Sequence, residues 1–298
     1  MNAKVIALPK GLENAETGTI TYWRLAGGAV AYAPLRDAWV AAGLNVGDLP
    51  ALPSMHTALH RTAQLLADED RRHTTLVRPI RGSEASGFAL VHETHDESGL
   101  PRHTVHRELV VARGTDNTLT RVELRGFDPA DVERIQELYL EVRTRLSTQD
   151  VGGWLVDLVQ GIHAVSLRDT GGIYYLPARE SVAWQRYCDV LHAVTECRVF
   201  AIPALDGAGA VEAVLDALQR ESTAVLEQAS NQLHEVDADG KRTVGKRALK
   251  TRADRLEILE KKIEAYSGLL GARLNDLHAR ASDVAAKVGE LLLTELET

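Results

Sequence analysis

The chain has 298 residues, 45% of them hydrophobic and 26% charged, with a formal net charge of -8. This is the composition of a globular protein long enough for two structural units, and it excludes long low-complexity or disordered tracts. The negative sign works against general adhesion to nucleic acid or to anionic membranes.

Two cysteines, Cys188 and Cys197, give neither a disulfide framework nor a CxxC ligand pair. The apolar run in MNAKVIALPKG is too short for a signal peptide, and no segment reaches the roughly 20 apolar residues of a membrane span. The expected location is therefore cytoplasmic.

Residues 19–25, TITYWRL, read as a strand that Gly27 and Gly28 break. A short helix is expected near 34–42, with Pro34 in its first turn and Gly43 as its stop. Ser54 is placed to cap a helix over 55–69, in which Met55, Leu59, Ala63 and Leu66 share a stripe. The period then changes. TTLVRPI at 74–80, GFALVHET at 87–94, HTVHRELVVA at 103–112 and TLTRVELR at 118–125 read as four strands joined by short polar turns, an antiparallel meander. Phe88 and Leu90 share the bulkier side, which is expected to face helices.

Asp128 and Pro129 open a further helix whose buried side carries Ile135, Leu138 and Val142. Ser147 caps another near 148–160, with Trp154, Leu155 and Leu158 inward. HAVSLR, the turn DTGG and IYYLP form a hairpin, since Gly171 and Gly172 allow positive φ. A helix at 179–194 and a strand at 196–202 complete an α+β head over residues 1–205, with no convincing βαβ repeat. Within it, residues 129–177 run helix, helix, hairpin, which resembles the chain order of a winged helix. The second helix, TQDVGGWLVDLVQG, carries no Arg or Lys and is a poor reader of base edges.

Residues 209–298 read as a long antiparallel helical hairpin or coiled-coil stalk. Val211, Leu215, Leu218, Leu226, Ala229 and Leu233 mark one helix, and DADGKRTVGKR breaks the chain at 237–247. Beyond it Leu256, Leu259, Ile263, Tyr266, Leu270, Leu274, Leu277, Ala281, Val284, Val288 and Leu291 recur at three- and four-residue steps, an apolar seam that has to lie against another helix, of this chain or another. Two successive four-residue steps at Tyr266–Leu274, beside Gly268 and Gly271, fit either a bend at 266–272 or a tolerated irregularity. Lys241, Arg242, Lys246, Arg247, Lys250, Arg252 and Arg255 gather at the tip of the hairpin, where phosphate or an acidic partner would meet them.

Sites of chemistry are harder to find. His92, His95, His103 and His106 flank one strand turn, but residues three apart on a strand point to opposite faces. His56 and His60 have the helical spacing of zinc ligands, yet Thr57 stands where HExxH needs its glutamate. Cys188 and His192 are four apart among apolar neighbours, where a cysteine behaves as a small hydrophobe. GxSxG, a strand-borne GxGxxG and GxxxxGK[ST] are all absent from the sequence. No catalytic, cofactor or metal residue is therefore assigned. The expectation is a non-catalytic intracellular assembly or adaptor protein that uses the seam for self-association or partner binding. A nucleic-acid accessory protein using the basic tip is the second reading, and an enzyme with an unrecognised site in the head the third.

Overall fold

The computed structural model describes residues 16–25, 28–70, 74–82, 85–113, 119–205, 207–233 and 246–294. In chain order the elements are β1 (Glu16–Arg24), β2 (Val30–Ala31), α1 (Tyr32–Ala41), α2 (Met55–Glu69), β3 (Thr74–Arg81), β4 (Ala85–His95), β5 (Pro101–Arg113) and β6 (Leu119–Arg125). Then follow α3 (Pro129–Thr144), β7 (Arg145–Leu146), α4 (Thr148–Gly161), β8 (Val165–Ser166), β9 (Tyr174–Pro177), α5 (Ser181–Val194) and β10 (Arg198–Leu205). The C-terminal part holds α6 (Ala208–Leu233), α7 (Lys246–Ala265), α8 (Ser267–Leu270) and α9 (Asn275–Thr294). The fold is α+β, with antiparallel sheets, packed helices and a C-terminal pairing of α7 with α9. Among the described residues no helix is long and apolar enough to cross a membrane.

The chain divides into two compact units, residues 1–26 with 153–298, and residues 27–152. The expected boundary near 203–210 falls inside the first of these. The reason is β1, which pairs along its length with β10 and through Gly18–Thr21 with β9, giving the antiparallel order β10-β1-β9-β8. Neighbouring residues of β1 serve opposite faces. On one face the Trp184 indole N–H donates to the Thr21 hydroxyl at 2.9 Å, and the Thr19 and Ser181 hydroxyls lie 2.7 Å apart, so α5 is tied to the sheet by buried polar groups that all find partners. On the other face Ile20, Val165, Tyr175 and Ala204 join one apolar cluster with α6, α7 and α9.

Tyr266 links that cluster to the backbone. It is 1% exposed, and its hydroxyl lies 2.9 Å from the Tyr175 carbonyl and 3.0 Å from the His163 carbonyl. Burial pushes its phenol well above the usual tyrosine range, which keeps the donor protonated. The chain reverses immediately after it. Gly271 takes φ 53° and ψ -136°, a conformation open to glycine because it lacks a Cβ, and a 3-10 turn at Gly271–Leu274 leads into α9. The final helix thus folds back as a hairpin of α7 and α9 instead of continuing as one rod.

The second unit is the meander β3-β4-β5-β6 with α2 and α3 on one face. Phe88, Leu90, Leu109 and Val111 project from the strands into Leu59, Ala63, Leu66 and Ile135, as the alternation in the sequence requires. Ser54 accepts the Thr57 N–H at 3.1 Å, and Asp128 accepts the Ala130 N–H at 2.9 Å with Pro129 at the first helical position. The winged-helix order of residues 129–177 is present in sequence only as an order. Its first helix, α3, belongs to the second unit, and its hairpin strand β9 is hydrogen-bonded to β1 in the first.

At Gly87, β4 has no room for a side chain beside β5. A Cβ there would stand 2.1 Å from the Leu109 carbonyl oxygen and 2.7 Å from the Val110 Cα, and both are backbone atoms that cannot swing aside. Gly87→Ala is expected to destabilise the second unit by about 2–3 kcal/mol, read as a lower midpoint in denaturant unfolding.

Candidate protein-docking face

The register of β1 with β10 sets Arg24 opposite Arg198, Tyr22 opposite Phe200 and Ile20 opposite Ile202. All six side chains share the face on which Ile20 meets the helices. The helices cover only part of it. Ala204 is buried, whereas Tyr22, Phe200 and Ile202 remain 37%, 39% and 47% exposed. The Tyr22 and Phe200 rings stack at 4.8 Å between centroids, so two adjoining strands offer a firm aromatic surface with an aliphatic neighbour. Both arginines at its end are exposed.

β10 is an edge strand, but its open side is poorly suited to another strand. The Phe200 carbonyl faces β1, where it accepts the Thr21 hydroxyl at 2.8 Å. By alternation, Val199, Ala201 and Pro203 turn their backbone groups outward. The Val199 N–H donates to His192 Nε2 at 3.1 Å, and Pro203 has no N–H. At the opposite edge of the sheet the Ser166 N–H donates to Glu221 at 2.6 Å, and the other Glu221 oxygen takes Lys262. Strand addition is therefore guarded on both sides, and what the sheet leaves open is side-chain surface.

This face was not visible from the sequence. One signal for it exists: ITYWR and RVFAIPAL are apolar at odd and even positions alike, the pattern of a strand buried on both faces, yet β10 lies at an edge.

The seam residues lie elsewhere. Leu256, Leu259, Ile263, Tyr266, Leu270, Leu274, Leu277, Ala281 and Val288 are all 5% exposed or less, and they pack with α6 and the sheet of their own chain. Val284 and Leu291 are half-buried. Of the basic group, Lys241 and Arg242 lie outside the described residues and Lys246 opens α7. Arg247 and Lys250 are exposed, Arg252 is half-buried, and Arg255 donates to the Gln228 side chain at 3.1 Å.

The histidines engage local neighbours. His92 lies 3.0 Å from Asp70 and stacks on His106, His103 lies 2.9 Å from Glu93, and the rings of His56 and His60 both lie 4.7 Å from Phe88. Both cysteines are buried and free, and burial pushes the Cys188 thiol up to about 12, far from a reactive thiolate.

The second unit contains a cleft of about 520 Å³ bordered by α2, α3 and the start of α4. Its two guanidinium groups are already held. Arg61 makes a two-pronged pair with Asp150 at 2.6 and 2.7 Å, and Arg145 bonds Glu141 and the Ala29 carbonyl. Asp150 also accepts the backbone N–H and the hydroxyl of Ser147, both at 2.8 Å, while Ser147 caps the Asp150 N–H in return. The Arg61 hydrogen bonds, reinforced by Ser147, pull the Asp150 carboxyl down to about 2.

A family model described as a family of unknown function matches residues 17–297. No curated protein and no solved structure matches the chain.

The Asp150 cluster has a defined pH signature. A carboxyl lowered on folding contributes stability above its unfolded value and loses it as pH falls through the folded one. Asp150→Asn is expected to cost about 1–2 kcal/mol at pH 7. Its difference from wild type should shrink as pH falls from 4 toward 2, measured by urea titration of both proteins at each pH.

Proposed function

We propose that this chain, which belongs to the family of unknown function DUF6744, is a non-catalytic intracellular assembly or adaptor protein that docks a partner's amphipathic helix on the open face of its β1–β10 sheet. The observation behind this reading is the trio Tyr22, Phe200 and Ile202, large, adjacent and uncovered on a face whose remainder is already a helix-packing surface. Adjoining exposed apolar groups are where partners pack, and aromatic side chains are the preferred anchors of protein interfaces.

The geometry favours a helix as the occupant. The outer edge of β10 lacks the donors for strand pairing at Val199 and Pro203, so main-chain addition is disfavoured. A helix laid on the face would continue the layer that covers Ile20, Tyr175 and Ala204. Arg24 and Arg198, exposed together at one end, favour acidic residues at the matching end of that helix. The two buried, unpaired thiols fit a reducing compartment.

A second reading draws on α7. Arg247 and Lys250 occupy its first turns, where the helix dipole disfavours cations, and no acidic residue stands in its first turn. An acidic or phosphate-bearing partner would offset that cost. On this reading, binding to a nucleic-acid duplex falls steeply with added salt and is lost on charge reversal of Arg247 and Lys250.

The two readings separate in one experiment. Binding partners are captured with wild-type protein, with Phe200→Asp/Ile202→Asp, and with Arg247→Glu/Lys250→Glu, each variant first shown to retain its unfolding midpoint. The docking reading expects the sheet variant alone to lose the wild-type partner, by about tenfold or more in affinity, and Arg24→Glu to weaken it further at low salt. A partner retained by the sheet variant overturns it.

A further inference from the structure

The apolar seam of α7 and α9 has a property that a hairpin does not require. On an uninterrupted helix, at about 100° per residue, all eleven seam residues from Leu256 to Leu291 fall within an arc of about 100°. A chain that reverses between two helices has no need to keep the phase of the first stripe through the turn into the second. Here Leu270 and Leu274, inside the reversal, keep it too.

The backbone of the reversal is itself almost continuous helix. Tyr266 stays in the right-handed region at φ -99° and ψ 0°, Ser267–Leu270 are α-helical, and Gly271–Leu274 form a 3-10 turn. Among the described residues of this stretch, Gly271 is where φ turns positive. Its backbone, at φ 53° and ψ -136°, is not helical, so Gly271 interrupts the helix at the reversal.

We propose that α9 exchanges between two copies of this chain by straightening at Gly271, so that α7 and α9 become one helix and each α9 packs on the α6 and α7 of the other copy. Leu277, Ala281 and Val288, buried in this chain against its own helices, would make the same contacts in the second copy, and the hinge alone changes conformation. Exposed apolar surface is not created, because each arm replaces the other. The closed hairpin is favoured at low concentration and the exchanged pair at high concentration. This inference concerns the helical arm and is independent of the sheet face.

Gly271→Ala tests it. A side chain penalises the positive φ of the closed form, and alanine outranks glycine in the straight helix, so the monomer–dimer equilibrium should move toward dimer by about 10- to 100-fold for each of the two hinges in the pair, about 100-fold or more in all, read by light scattering on size-fractionated protein. Spin labels on Arg247→Cys and Lys287→Cys then report the arm, since both native cysteines are buried. Labelled chain is refolded in excess unlabelled chain, so that each dimer carries one labelled copy. The exchanged form gives an intramolecular separation of about 60 Å, and the closed hairpin a short one. A folded Gly271→Ala protein that stays monomeric, or a dimer that keeps the short separation, overturns the proposal. Should Gly271→Ala not fold, the wild type refolded at high concentration is measured the same way. A dimer with the long separation supports exchange, and monomer alone, or a dimer with the short separation, overturns it.

Discussion

Pairing of β1 with strands from far along the chain is the constraint on which the first unit rests. The Thr21 hydroxyl reaches the Phe200 carbonyl across 179 positions of sequence, and the Trp184 indole reaches Thr21 across 163. Without β1 the sheet would lose the strand between β10 and β9, and α5 would lose the hydroxyls that anchor it. The second unit, residues 27–152, is in effect an insertion between β1 and the rest of its own sheet. Its four-stranded meander is by comparison local, each strand pairing with the next in sequence, although β2 also reaches β7 across the whole unit. Local contacts form quickly and long-range ones slowly, so the two units differ in when they become stable as well as in what holds them.

What the sequence disclosed follows the same division. The meander, the helices of the second unit, the caps at Ser54 and Asp128 and the inward side at Phe88 and Leu90 could all be read, because each depends on residues within a few positions of one another. The partners of β1 could not. TITYWRL announces a strand, but nothing in its spacing says that its neighbours are RVFAIPAL and YYLP. The unit boundary was hidden for the same reason, since Pro203 and the run LDGAGA look like a division when strand pairing is ignored.

The open sheet face is not legible in the sequence because exposure depends on what packs beside a residue. Phe200 and Ile202 are ordinary strand residues in sequence, and only the extent of the helical layer leaves them open. The C-terminal seam shows the converse. Its periodicity was plain, and its burial needs a helical neighbour as the pattern demands, yet the neighbours lie in the same chain. Periodicity specifies that a stripe is covered and is silent about which copy of which segment covers it.

The order of synthesis gives the β1 pairing a further meaning. β1 leaves the ribosome long before β10 exists. At roughly 5–20 residues per second, the interval is on the order of 10–40 s. During that time Ile20, Tyr22 and Trp23 belong to a lone strand with neither of its neighbours, while the inserted unit has all it needs to fold. The nascent chain thus carries an unfinished, greasy ribbon, and its safe passage depends on whatever shields that ribbon in the crowded cell.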